Sequence, residues 1–165
     1  MDTRGVQQTD RILAVLQEAG VDFVVIGGVA AISHGAATLT RDLDVAAPFT
    51  TENLGRLLAA LRPFRPRHVT RPDLGEIQES IERLCEFRLL LIDTDLGRVD
   101  VLREVEPLGP AESLRAVELE LLEGRWFRVL DLDALIEVKA HLRRPKDRIV
   151  EMELRALRAG REGTR

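Results

Sequence analysis

The sequence predicts an α+β domain in which a mixed β-sheet is flanked by helices and closed by a C-terminal helical pair. Three observations predict it. Apolar residues recur at helical spacing near the start of the chain and again in its last third. Short β-branched runs lie between these segments. Two pairs of such runs flank turn-forming residues, Asp93-Thr94-Asp95-Leu96-Gly97 and Glu123-Gly124, as hairpins do.

The first helix is expected from Gln7 to Ala19, where Ile12, Leu13, Val15 and Leu16 share a face and Gly20 stops the run. Asp22 to Ile26 reads as a buried strand broken by Gly27-Gly28. Val29 to His34 reads as a short helix ended by Gly35. A strand from Asp42 to Ala46 closes at Pro48, and Thr50 or Thr51 caps a helix to about Leu61. The proline-rich stretch 63–80 is expected to be a loop with a short strand near Arg67 to Thr70. Glu86 to Ile92 pairs with Arg98 to Leu102, and Val117 to Leu122 with Trp126 to Leu130. Asp131 or Asp133 caps a helix from Leu132 to Leu142. Pro145 starts a last helix ending near Leu157, and the polar tail from Gly160 is expected to fray. Residues 1–130 thus make a core and 131–165 a helical element packed on it.

Composition narrows the chemistry. A length of 165 residues suits one domain with a sizeable core. A net charge of −4 removes any global basic field for nucleic acid and leaves only a local patch to serve. Lys139 and Lys146 are the only lysines among many arginines, a bias that coding preference explains. The single cysteine, Cys85, excludes a disulfide framework and a cysteine-based zinc site. Met1-Asp2-Thr3-Arg4 shows no signal-peptide pattern, and no apolar run reaches membrane-spanning length. A cytoplasmic location is the expectation.

The chemistry-bearing feature is Asp42-Leu43-Asp44-Val45. Strand residues i and i+2 face the same way, so Asp42 and Asp44 share a face while Leu43 and Val45 take the other. Asp100, between Val99 and Val101, alternates likewise, so neighbouring strands would bring the three carboxylates together. Three such groups cannot all ionise cheaply unless a cation joins them. Mg²⁺ takes oxygen ligands of this kind, and a phosphate ester would come with it. Upstream, Gly27-Gly28 ends a strand and opens a helix, where free N–H groups suit phosphate. Taken singly, a glycine pair is a tight turn and an Asp-x-Asp is solvated charge. Their combination carries the functional reading.

The run Val25-Ile26-Gly27-Gly28-Val29-Ala30 through His34-Gly35 to Thr40-Arg41-Asp42-Leu43-Asp44 resembles the nucleotidyltransferase superfamily that includes the DNA-polymerase-β-like palm. It is most similar to the minimal bacterial nucleotidyltransferases of abortive-infection and toxin–antitoxin type. Thr38 stands where such proteins often carry arginine, with Arg41 nearby. Leu135-Ile136-Glu137-Val138-Lys139 and Arg143-Arg144-Pro145-Lys146-Asp147 resemble the same family's C-terminal helical element. The resemblance implies a nucleotidyltransferase-like palm moving a nucleotide from an NTP to an acceptor hydroxyl, with two Mg²⁺ ions on Asp42, Asp44 and Asp100. It implies nucleotide contacts from Gly27, Gly28, Thr40, Arg41, Lys139 and Lys146. It also implies an RNA acceptor such as a tRNA 3′ end, with a cognate antitoxin as a partner. Transfer to a small-molecule or protein hydroxyl, and a binding module without turnover, are the rival readings.

Other polar residues take plainer roles. Ser33 is expected to be an ordinary helix residue, His34 packs or caps beside Gly35, and His68 and His141 lack ligand partners at suggestive spacing. Trp126 is expected to cover the core and Cys85 to be buried. Arg62, Arg65, Arg67 and Arg71 are expected to form a solvated face.

Overall fold

The structure, a computed structural model, describes residues 6–164, so the expectation about Met1-Asp2-Thr3-Arg4 lies outside the described residues. In chain order the elements are α1 (Thr9–Glu18), β1 (Val24–Ile26), α2 (Gly27–Ser33), β2 (Leu43–Ala46), α3 (Thr51–Leu61) and β3 (Arg67–His68). There follow α4 (Ile81–Leu84), β4 (Leu89–Thr94), β5 (Gly97–Leu102), β6 (Glu104–Val105), β7 (Gly109–Pro110), β8 (Ala116–Leu122) and β9 (Arg125–Leu130). The helices α5 (Leu132–Leu142) and α6 (Pro145–Glu162) close the chain.

Seven strands form one mixed sheet in the order β3-β4-β5-β2-β1-β9-β8, and β6 and β7 make a separate ribbon. The hairpins β4–β5 and β8–β9 are antiparallel, as the turn residues predict. The parallel pairs are β2 with β5 and β1 with β9. Parallel neighbours need a crossover, and here α3 and the irregular segment after it lie between β2 and β5. That crossover carries Asp100 back beside Asp44.

Local chemistry explains the helices that frame the sheet. Thr50 Oγ1 accepts from Asn53 N at 3.1 Å and caps α3, which buries Leu54, Leu57, Leu58 and Leu61 at helical spacing. Asp131 Oδ1 accepts from Ala134 N at 2.7 Å and caps α5. Arg143, in the left-handed region at φ 57°, ends α5, and Pro145 opens α6. Leu135, Ile136 and Leu154 from these helices join the same hydrophobic cluster as Leu43 and Val45 of the sheet. Each fully buried leucine of that cluster contributes roughly 1.5–3 kcal/mol of transfer free energy.

Several boundaries differ from expectation. The glycine pair lies inside α2 and opens it, rather than separating a strand from a helix that begins at Val29. Asp42 lies just ahead of β2 and not within it. The stretch 63–80 holds two 3₁₀ turns and the two-residue β3, and α4 follows without any strong periodic signal. The tail does not fray at Gly160: α6 runs to Glu162, held in part by Arg161, which donates to the His34 carbonyl at 3.0 Å. Trp126 does not cover the core. It is 56% exposed, paired with Glu120 on the outer side of the β8–β9 hairpin. Cys85 is half-buried rather than buried.

Candidate active site

Asp44 and Asp100 are direct partners across the parallel β2–β5 pair, and Ile26 is the partner of Asp44 on β1. Leu43 and Val45 are fully buried on the opposite face. The acidic side chains are therefore positioned by two apolar anchors, and a one-residue slip of β2 would bury them instead. Burial, then the neighbouring Asp100 and Asp42 carboxylates, push the Asp44 pKa up to about 6. Lys139 and Arg98 pull it the other way. Burial also raises Asp100, against the opposing pull of Arg98 and of a hydrogen bond shared with Asp44. The convergence anticipated from strand alternation is present.

Arg98 is the charged neighbour of the carboxylates that the sequence reading missed. Its Nε donates to Asp100 Oδ1 at 2.7 Å and its Nη2 to Oδ2 at 3.1 Å, and Nε lies 3.9 Å from Asp42 Oδ2. The i, i+2 alternation that placed Asp100 also places Arg98 on its face, a signal available in Arg98-Val99-Asp100. The guanidinium fork fixes the carboxylate plane and offsets part of the like-charge repulsion.

Gly27 is required by space as well as by conformation. It opens α2 at φ +64°, and a Cβ there would stand 2.4 Å from Asp44 Oδ2. A Cβ on Gly28 would stand 2.7 Å from Thr40 Cβ. The glycine pair thus lets the start of α2 lie directly against the acidic strand and the turn before it. Thr40 takes the structural role: its Oγ1 donates to the Asp42 carbonyl at 3.0 Å and shapes the turn that delivers Asp42. Arg41 is exposed beside it. Ser33 Oγ donates to the Val29 carbonyl at 2.7 Å, and the buried His34 donates from Nε2 to the Leu130 carbonyl at 2.8 Å. Both are internal to the fold.

The C-terminal helices supply the cationic side. Lys139 Nζ donates to Asp147 Oδ1 at 3.0 Å, and Arg144 Nε donates to Asp147 Oδ2 at 2.5 Å. Asp147 is only 1% exposed and is held ionised by these two cations, its carboxyl lying below the usual range despite burial. Asp147 is a further residue whose role the sequence reading left open. Lys146 is exposed and faces the same cleft.

These groups line one cleft of about 1010 Å³, bounded by α2, the 38–42 turn and β2 on one side and by α5 and the start of α6 on the other. Gly27, Gly28, Thr38, Thr40, Arg41, Asp42, Asp44, Lys139 and Lys146 all line it. Asp100 and Arg98 are not part of that lining, and Asp100 adjoins it as the strand partner of Asp44. Farther out the cleft meets Arg88, Glu104, Glu106 and His141. Arg88 is paired with Glu104, and His141 Nε2 is 3.5 Å from Glu106 Oε2.

The fit to a divalent cation rests on donor chemistry. Among the described residues no group of three or more His, Cys, Asp or Glu side chains is already gathered in a metal-ligand arrangement. Asp42 and Asp44 nevertheless line the cleft, and the raised Asp44 pKa, set by burial first and by the neighbouring carboxylates second, marks a cost of ionisation that a hard cation relieves. Asp100 keeps lone pairs beyond those used by Arg98, so the guanidinium does not exhaust it as a ligand.

The arginine run is spent elsewhere. Arg65 and Arg67 pair with Asp95, Arg71 pairs with Asp73, and Arg62 donates to the Ile77 carbonyl at 2.9 Å. His68 pairs with Glu79 at 2.8 Å. Among the described residues no helix is long and apolar enough to cross a membrane.

No protein-family model matches the chain, and no curated protein matches it. Solved structures do. The crystal structure of ANT(2″)-Ia in complex with adenylyl-2″-tobramycin aligns at a TM-score of 0.55 and 17% identity, covering 94% of this chain and 95% of that one. The solution structure of the antibiotic-resistance factor ANT(2″)-Ia aligns at 0.50 and 19% identity, covering 99% and 98%. At such identities the likeness is one of fold, and it spans nearly the whole chain.

Proposed function

We propose that the chain is a Mg²⁺-dependent nucleotidyltransferase of the DNA-polymerase-β-like superfamily, moving a nucleotide from an NTP to an acceptor hydroxyl with release of pyrophosphate. The observation that carries the reading is the pairing of Asp44 with Asp100 across β2 and β5, with Asp42 and Asp44 lining a cleft walled by a glycine-opened helix and by Lys139 and Lys146. The nearly full-length likeness to a fold solved with an adenylylated product supports it.

Mg²⁺ held by Asp42 and Asp44, with Asp100 serving a second ion, would offset carboxylate charge and polarise the phosphoryl group. Gly27 and Gly28 let the start of α2 lie against Asp44 and Thr40 in the wall of the cleft, where its free N–H groups would meet phosphate oxygens. Arg41, Lys139 and Lys146 take the remaining phosphate charge, with Asp147 holding the Lys139 ammonium in place. The acceptor oxygen attacks the α-phosphorus, the bond to the β-phosphate oxygen breaks, and pyrophosphate leaves. Asp100, its pKa raised by burial, accepts the hydroxyl proton while Arg98 keeps it oriented. Thr40 acts through the Asp42 turn rather than on the nucleotide.

The cleft favours a small hydroxyl compound as acceptor. Its cations Arg41, Arg88, Lys139, Arg144 and Lys146 are balanced by Asp42, Asp44, Glu104, Glu106 and Asp147, so it lacks the positive groove that an RNA end requires. An RNA acceptor is the second reading, motivated by Arg41 and Lys146, which line the cleft and make no ion pair with another described residue.

The test incubates the protein with Mg²⁺ and each α-labelled NTP, with an RNA-free small-molecule extract in one arm and total RNA in the other. The Asp42→Ala/Asp44→Ala protein is the control. Label on a small product, absent in the control, supports the reading, and label on RNA moves the acceptor to the second one. Unaltered NTP in both arms, with no pyrophosphate, leaves a binding module and overturns the transferase.

A further inference from the structure

We propose that α6 carries a self-association surface, and that its occupant is α6 of a second copy of this chain, packed antiparallel. The inner face of α6 is committed to the fold: Asp147 and Leu154 are buried, and Val150 and Leu157 pack against the core. The outer face is apolar where a helix on water is normally polar. Ile149 is 69% exposed and Met152 is 72% exposed, and the exposed Ala156 and Ala159 continue the same line toward the C-terminus. These four follow at steps of three and four residues, which is one stripe along the helix.

The stripe is graded, with two large residues followed by two small ones, and that grading selects the geometry. In a parallel pair Ile149 would meet Ile149 and Met152 would meet Met152, while the alanines would face each other across a gap. In an antiparallel pair related by a two-fold axis, Ile149 meets the partner's Ala159 and Met152 meets the partner's Ala156. Large fills small in every layer.

The flanking charges agree with the same register. Arg148 and Glu162 lie on one flank of the stripe, and neither makes an ion pair with another described residue. With Ile149 set on the partner's Ala159, Arg148 lies opposite the partner's Glu162, and symmetry makes that contact twice. Arg155, which falls near the axis, is already neutralised by its own Glu151 at 2.8 Å. Packing therefore selects the antiparallel arrangement, and the Arg148–Glu162 pair agrees with it. A single 18-residue helix pair lies at the low end of interface size, so the association is weak and concentration-dependent.

Sedimentation equilibrium of the full chain from micromolar to near-millimolar concentration tests it. The expected result is a monomer–dimer equilibrium that Met152→Glu shifts to monomer. Arg148→Glu and Glu162→Arg should each weaken the dimer about tenfold, one ion-pair contact being lost twice. The double variant Arg148→Glu/Glu162→Arg should recover it. Circular dichroism confirms that each variant folds. A monomer at every concentration overturns the proposal, as does a dimer indifferent to Met152→Glu. A double variant no tighter than the singles overturns the antiparallel register.

Discussion

Single residues set the electrostatics of this cleft, and Asp44 shows how. Its carboxyl sits beside Asp100 and near Asp42 with little water, so ionising it in the folded chain is costly. Its pKa is about 6 when folded against about 3.8 when unfolded. The folded state therefore holds the proton more tightly. Well below pH 3.8 both states are protonated and no cost exists; the cost grows through the window between the two values and is complete above pH ~6. It amounts to about 3 kcal/mol at most, at 1.36 kcal/mol per pKa unit. In EDTA, Asp44→Asn should melt above the parent protein at pH 7.5, with the gap falling to roughly a third by pH 4.5. A constant gap across that range would mean that Asp44 is not the strained group. Asp147 makes the opposite case, being buried and doubly paired. Asp147→Asn leaves Lys139 without its counter-charge and should lower stability by about 3 kcal/mol in urea titration. It should also cost transfer activity, because Lys139 is no longer held against the cleft.

Elements matter here as carriers of those residues. The strand β2 is only four residues long, yet Leu43 and Val45 lock its register and so decide which way Asp44 points. The helix α2 approaches β2 closely because Gly27 has no side chain. Gly27→Ala would put a methyl against Asp44 Oδ2 and force a left-handed φ on a residue with a Cβ. The expected loss is about 1–2 kcal/mol from conformation alone, with displacement of Asp44 added. Thermal unfolding reads the first effect. The loss of a Mg²⁺-induced melting shift reads the second. Gly28→Ala meets Thr40 rather than a carboxylate, so it should disturb the Asp42 turn and spare Asp44.

At the scale of the whole molecule, the sheet order brings together segments far apart in the chain. The pairing of β1 with β2 and β9, and of β2 with β5, sets Gly27, Asp44 and Asp100 side by side, and α5 follows directly from β9 to bring Lys139 over them. The consequence is a cleft whose charges nearly balance until a cation enters. Mg²⁺ at millimolar concentration should raise the melting temperature of the parent protein, as ligands that bind only the folded state do. The same addition should leave the Asp42→Ala/Asp44→Ala protein unchanged. An equal shift in both would place the cation elsewhere on this chain.

Much of this was legible in the sequence because period and local chemistry are short-range signals. Apolar spacing gave α1, α3 and α5, turn residues gave both hairpins, and alternation put Asp44 and Asp100 on one face of their strands, while Asp42 stands in the turn ahead of β2. The stretch 63–80 was opaque because 3₁₀ turns and a two-residue strand leave no repeating pattern. Whether Asp100 reached Asp44, whether Arg98 would neutralise it, and whether Lys139 would be tied to Asp147 depended on which strands became neighbours and how α5 and α6 docked. The sequence by itself determined the elements and the residue types on each face, since φ/ψ preference and side-chain alternation act within a few residues. Only the tertiary structure decided their company, since charges couple through space and not along the chain.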